Sequence, residues 1–288
     1  MTGLSRYVQC AGYEIHFMDW GKPDAPVVIA WHGLARTGRD MDALAAHLAG
    51  QGYRVICPDT IGRGLSQWSS APKDEYCLRF YAQLAAEFLD ALDVRQVHWV
   101  GTSMGGAFGM VCASGLYESR MRERILTLTL NDIAPELAAP ALDRIKAYAG
   151  EPPVFDKVTE LEQFFRAAYK PYGWLSDEEW RKLTETSTRR LSDGRVTPHY
   201  DPSIIMQLTQ HPHDYLVWHH YDALDLPVLL LHGAQSDLVL EPTVRAMLTR
   251  GPGARGQLEW IEVPDCGHAP ALNVQAHFDP IMRLLHSR

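Results

Sequence analysis

Short apolar runs alternate with amphipathic stripes along most of this chain. Ala25–Trp31 (A-P-V-V-I-A-W), Tyr53–Cys57, the run opening at Val97, Ile125–Leu130, Pro227–Leu231 and Leu258–Val263 predict strands, and a continuous run such as the first predicts a strand covered on both faces. Between them, Met41, Leu44 and Leu48, and then Leu78, Tyr81, Leu84, Phe88, Leu89 and Leu92, recur at helical spacing. Further helices are expected from Ser103 to about Leu116, over Thr243–Thr249, and from about Ala271 to His286. Ahead of all these, Tyr7–Cys10 and Tyr13–Trp20 alternate apolar and polar about Ala11-Gly12, the signature of an antiparallel hairpin. The rhythm predicts an α/β fold: an eight-stranded, mostly parallel sheet with helices on both faces.

The alternation breaks between Ile133 and Tyr221. No convincing buried strand occurs there, but Leu142–Tyr148, Val158–Tyr169 and Ser176–Leu183 carry helical patterns, the last with Ser176 as N-cap before three acids. Phe155, Phe164, Phe165, Tyr169, Tyr172, Trp174 and Trp180 make the block rich in aromatics. A block this long and this structured is neither a loop nor a linker. The expected organisation is a core from 1–132 and 222–288 with a helical cap inserted at 133–221; Ser192-Asp193-Gly194-Arg195 reads as a turn within it.

Charge and composition remove several functions. A formal net charge of −8 argues against a general partner for nucleic acid or an anionic membrane. No apolar run is long enough to span a bilayer and the start lacks the hydrophobic stretch of a secretory signal, so a cytoplasmic location is expected. Cys10, Cys57, Cys77, Cys112 and Cys266 are scattered and never paired as C-x-x-C, which reads as reduced thiols. His211, His213, His219 and His220 cluster in the inserted block without the Cys or acidic residues that complete a known metal pattern. Neither a metal nor a cofactor is expected, and the partner is a small molecule.

The chemistry centres on Gly101-Thr102-Ser103-Met104-Gly105, a strand, a tight turn and a helix with Ser103 at the corner. Small residues two places before and after let the corner be sharp, and the helix that follows points unpaired N–H groups at whatever Ser103 attacks. Ligands of open α/β sheets bind at the carboxyl ends of the strands, where Leu34, Ser103, Asp132, Asp237 and His268 all fall. His268 is the candidate base, because a hydroxyl needs a group of near-neutral pKa to take its proton. Asp237 is the first choice for the acid that orients His268, and Asp132 the alternative; the chain order Ser, acid, His fits either. The backbone N–H groups of Leu34 and Met104 are the expected oxyanion donors. His32 is expected to shape the Leu34 turn, and His98 to be a satisfied core residue.

Taken together, W-H-G-L, C-P-D-T-I-G-R-G-L-S, G-T-S-M-G-G, L-L-L-H-G-A-Q-S-D and C-G-H-A-P resemble, in order, the motifs of serine hydrolases of the α/β-hydrolase fold. The resemblance is nearest to small capped bacterial carboxylesterases. It implies hydrolysis of carboxylic esters through an acyl-enzyme on Ser103, with thioesters, lactones and short hydroxyacid oligoesters open to the same machinery. A Ser at the elbow argues against the epoxide-opening and halide-displacing members, which carry Asp there. Carbon–carbon bond hydrolases share the G-x-S-M-G-G elbow and form one alternative; a non-catalytic ligand-binding protein on this fold forms the other. The resemblance leaves Asp59 and Arg63 in a structural loop.

Overall fold

A computed structural model describes residues 2–288, residue 148 through its backbone alone. Ten strands form among the described residues, in chain order: β1 Leu4–Cys10, β2 Tyr13–Trp20, β3 Val27–Trp31, β4 Arg54–Pro58, β5 Val97–Thr102, β6 Ile125–Asn131, β7 Thr188–Arg190, β8 Val196–Pro198, β9 Val228–Gly233 and β10 Leu258–Val263. Eight of them make one sheet in the order β1-β2-β4-β3-β5-β6-β9-β10. The β1–β2 and β2–β4 pairs are antiparallel and the remainder parallel, as the opening hairpin and the later strand–helix rhythm require.

The continuous apolar runs are explained by cover on both faces. In β3, Ile29 and Trp31 enter the core on one side of the sheet, while Val28 and Ala30 enter the core on the other. β9 repeats this, with Val228 and Leu230 on the first side and Leu229 and Leu231 on the second. Side chains of a strand alternate between faces, so a helix layer on each face makes every position apolar. The helices Leu78–Ala91 and Met104–Ser114 supply the first layer; Asp42–Gly50 and Gln275–Leu285 supply the second.

Within 133–221 the helices Ala139–Ala149, Val158–Ala168 and Asp177–Thr186 form at the expected places, and Ser176 accepts from the Glu179 N–H as a capping box. The inserted block also holds strands that the sequence pattern does not reveal. β7 and β8 pair as an antiparallel hairpin closed by the Ser192–Arg195 turn. Each strand is only three residues long, too short for alternation to register. Leu161, Phe165, Trp180 and Val196 form a small core of the block's own. Its flanks differ: Ile133, Ala141, Ile145, Ile204, Val217 and Tyr221 pack into the main core. The middle of the block thus packs on itself, while its two ends pack into the main core.

Register brings the strand ends level. Trp31 lies opposite Gly101, Thr102 opposite Asn131, Asn131 opposite Leu231, and Gly233 opposite Val263. The loops that follow β3, β5, β6, β9 and β10 therefore open on one edge.

Candidate active site

Ser103 sits between β5 and the Met104–Ser114 helix with φ 52° and ψ −119°. This left-handed backbone costs a non-glycine residue about 1–3 kcal/mol and persists only where its surroundings enforce it. The enforcement is steric. A Cβ on Gly101 would lie 2.3 Å from the carbonyl of Gly105, and one on Gly105 would lie 2.4 Å from the Trp31 carbonyl oxygen. Strand, turn and helix can meet this closely only when both positions lack a side chain. Below the corner, Trp31 and Trp99 stack at 5.2 Å with Phe108 edge-on to both, and the Trp99 indole donates to the Gly105 carbonyl.

His268, in the loop after β10, reaches back across the sheet edge. Its Nε2 lies 2.8 Å from Ser103 Oγ and its Nδ1 lies 2.8 Å from Asp132 Oδ2. An ionised carboxylate can only accept, so Nδ1 carries the proton and Nε2 is left to accept from the Ser103 hydroxyl. Asp132 is fully buried and takes two further donors, the Gly233 N–H at Oδ1 (2.9 Å) and the Ser236 hydroxyl at Oδ2 (2.6 Å).

The expectation that Asp237 orients the histidine is corrected by this geometry: Asp132 holds that place. It follows β6 directly, with φ 50°, beside the strand that carries Ser103. Asp237 lies farther out in the β9 loop, where it is 56 % exposed and pairs with Arg144 of the inserted block at 2.6 Å. The β9 loop contributes donors to Asp132 instead, through Gly233 and Ser236. Asn131, which the sequence does not single out, donates to Thr102 Oγ1 and to the Pro270 carbonyl, both at 2.9 Å, joining the elbow to the histidine loop.

Leu34 lines the same cavity as Ser103, and Met104 directly follows that serine. Met104 opens its helix, so its N–H has no intrahelical acceptor, and neither it nor the Leu34 N–H finds a partner among the described residues. The Leu34 turn is fixed by His32. Thr60 N–H donates to His32 Nε2 at 2.9 Å, so Nδ1 is the protonated nitrogen and donates to the Gly33 carbonyl at 2.6 Å. Gly33 C=O and Leu34 N–H share one trans peptide and point in opposite directions. Holding the carbonyl therefore aims the N–H. Burial pushes His32 down to about 4, against the pull of Asp59, which keeps this tautomer neutral.

Arg63 is a second support that the motif alone does not disclose. Fully buried, it donates through Nε to the Leu34 carbonyl at 2.9 Å and through Nη1 to the Ile61 carbonyl and the Tyr81 hydroxyl, both at 2.8 Å; its Nη2 lies 3.5 Å from Met104 Sδ. One guanidinium thus touches both residues whose N–H groups flank the corner.

The inserted block roofs the site. A cavity of about 590 Å³ lies above Ser103 and His268, bounded by Leu34, Ile145, Phe164, Tyr169 and Pro171 among others. The cap also grips the histidine loop on both sides of His268, since Gly267 N–H donates to the Pro171 carbonyl at 2.7 Å and Ala271 N–H to the Tyr172 carbonyl at 3.2 Å. Of the cap histidines, His211 bonds the Lys73 carbonyl, while His220 is buried against Ser114 at 2.7 Å with the His219 ring 4.0 Å away; no group of three or more possible metal ligands forms among the described residues. His98 meets Thr127 at 2.9 Å inside the sheet.

A family profile described as the alpha/beta hydrolase fold matches residues 26–273. The chain belongs to the α/β-hydrolase family. A 3-hydroxybutyrate-oligomer hydrolase of Cupriavidus necator is 38% identical over 278 residues, covering 92% of this chain and 91% of that protein. A non-heme chloroperoxidase of Burkholderia pyrrocinia is 27% identical over 78% of this hydrolase and 80% of its own length. Among solved structures, an α/β hydrolase from Novosphingobium aromaticivorans superposes with a TM-score of 0.83 at 28% identity, each chain covered completely. No helix among the described residues is long and apolar enough to cross a membrane.

Proposed function

We propose that this hydrolase cleaves carboxylic esters by acyl transfer to Ser103, with His268 as base, Asp132 as the acid that orients it, and the N–H groups of Leu34 and Met104 as oxyanion donors. The single observation that carries the reading is the Ser103–His268–Asp132 hydrogen-bonded string ending under two unpaired N–H groups. The similarity to a 3-hydroxybutyrate-oligomer hydrolase supports short hydroxyacid oligoesters as the substrate class.

In the first step His268 Nε2 takes the Ser103 proton while Oγ bonds to the ester carbonyl carbon, whose electron pair moves to the oxygen held by the two N–H groups. Collapse of the adduct breaks the bond to the alcohol oxygen, which receives the proton from His268. Water then attacks the acyl-enzyme by the same route, giving the acid and restoring the serine. Asp132 stays ionised throughout and stabilises the imidazolium. The apolar walls of the cavity favour the acyl chain and exclude bulk water.

The test is labelling with a fluorophosphonate, followed by turnover of p-nitrophenyl butyrate and of 3-hydroxybutyrate dimer. Labelling and turnover are expected in the native protein, and loss of both in Ser103→Ala with an unchanged circular dichroism spectrum. Ester turnover surviving in a folded Ser103→Ala would refute the assignment.

A further inference from the structure

Two arginines interrupt the mainly apolar wall of the cavity: Arg144, which is paired with Asp237, and Arg36. Arg36 is 4 % exposed, and its stem and the nucleophile both border Gly33. Ser103 Cβ and Arg36 Cγ lie 3.6 and 3.8 Å from the point where a side chain on Gly33 would start. A buried guanidinium needs partners along its whole rim. One edge has them: Nε and Nη2 donate to Asp40 at 2.7 and 2.6 Å, and Nη2 also reaches Ser187 Oγ at 2.9 Å. The flat face lies 4.5 Å from the Tyr169 ring centre. Nη1, on the other edge, has no hydrogen-bond partner among the described residues. Asp40 does not line this cavity although Arg36 does, so the guanidinium is pinned from behind.

We infer that Arg36 Nη1 anchors a substrate carboxylate, so that the preferred substrates are esters whose leaving alcohol carries a free acid, as the acid-end unit of a 3-hydroxyacid oligoester does. The inference rests on the esterase reading of Ser103 and narrows it. In such an ester only three atoms separate the scissile carbonyl carbon from the carboxylate carbon, a span of about 5 Å. That short reach suits a cation that borders Gly33 as Ser103 does and lines the same cavity. Anchoring the terminal acid also sets where the chain is cut: one unit from the acid end. Water adds across that bond, releasing a 3-hydroxyacid monomer and a shortened oligomer with a new terminal carboxylate. Arg36 would be a specificity residue acting on binding, since it does not touch the reacting carbonyl.

The experiment compares kcat/KM for 3-hydroxybutyrate dimer with that for the same dimer whose terminal acid is a primary amide, a change that removes the charge and little else. The native enzyme is expected to favour the acid by tenfold or more, chiefly in KM. Arg36→Gln is expected to lose that preference and Arg36→Lys to keep part of it. Equal turnover of acid and amide by the native enzyme overturns the anchor, as does a preference that persists in Arg36→Gln; Arg36 would then only tie the cap to the core. The native comparison can still overturn the anchor if the variants misfold. Should the native enzyme cleave p-nitrophenyl butyrate but neither dimer, the substrate class and the anchor fall together while the esterase reading stands. Absence of turnover on all three substrates overturns the esterase reading itself.

Discussion

Asp132 Oδ2 and His268 Nδ1 lie 2.8 Å apart although 136 positions separate them in the chain. Asp237, which follows β9, pairs instead with Arg144 at the rim of the cavity. The two acids should therefore respond very differently to neutralisation. Asp132→Asn presents an amide N–H where an acceptor is needed and favours the wrong imidazole tautomer; kcat/KM on p-nitrophenyl butyrate should fall by about 10³–10⁴. Asp237→Asn removes an exposed ion pair worth about 0–1 kcal/mol and should change stability by no more than that. A larger loss in Asp237→Asn than in Asp132→Asn would return the role to Asp237.

His32 should matter to kcat without touching substrate. His32→Phe keeps a flat ring but cannot donate to the Gly33 carbonyl, so the Leu34 N–H loses its aim. Loss of a single oxyanion donor elsewhere costs about 10²–10³ in kcat, and misdirection should cost about tenfold or more. Steady-state kinetics should show the fall in kcat with KM little changed. A fall confined to KM would mean that the turn serves substrate binding instead.

Stability should decline as the medium is acidified from neutrality. Burial holds His32, His98 and His220 down to about 4 in the folded protein, against 6.5 for the free side chain. Between those values the unfolded chain binds more protons than the folded one, so each depressed pKa makes stability rise with pH across the window. The contribution is complete above about 6.5, is lost as pH falls, and amounts to at most about 3 kcal/mol per group. Thermal unfolding at pH 7 and at 4.5 should show a marked drop in Tm. His98→Gln, which keeps a partner for Thr127, should lessen that drop; an identical drop in the variant would show that this histidine takes no part.

Ser5, His16 and Asp59 form a second string of the same composition, with Ser5 Oγ 2.8 Å from His16 Nε2 and His16 Nδ1 2.7 Å from Asp59 Oδ2. It differs from the first at the serine, which here is not set at a strand–helix corner. Ser5 lies within β1 at the sheet edge, and Asp59 spends its oxygens on the N–H groups of Gly38 and Leu65, fastening two loops together. Burial disfavours the Asp59 anion, yet the His16 bond and these donors hold its pKa below the usual value. A fluorophosphonate should label Ser103 alone, and Ser5→Ala should retain labelling and turnover. Modification of Ser5, read by mass spectrometry of the digested protein, would contradict this.

The sheet was legible because cover on both faces forces every position of Val27–Trp31 and Val228–Gly233 to be apolar, and the elbow because close approach of backbone requires glycine at 101 and 105. The acid was not. Asp132 and Asp237 both follow strands, and what separates them is a left-handed turn at Asp132 and a hydroxyl at Ser236, neither of which composition ranks. Asn131-Asp132 directly abutting a strand was the available signal. Arg63 and Asn131 act through contacts with segments distant in sequence, and β7 and β8 are too short for a periodicity to show.

The hydrogen bonds from Gly267 and Ala271 to the Pro171–Tyr172 segment give the roof a share in the placement of His268, the proposed base. A graft that exchanged the whole block 133–221 for another protein's would import a new pocket and discard the struts on either side of His268. Substrate range is thus open to change through side chains facing the cavity, whereas the backbone path through 171–172 has to be kept together with the 267–271 loop it braces.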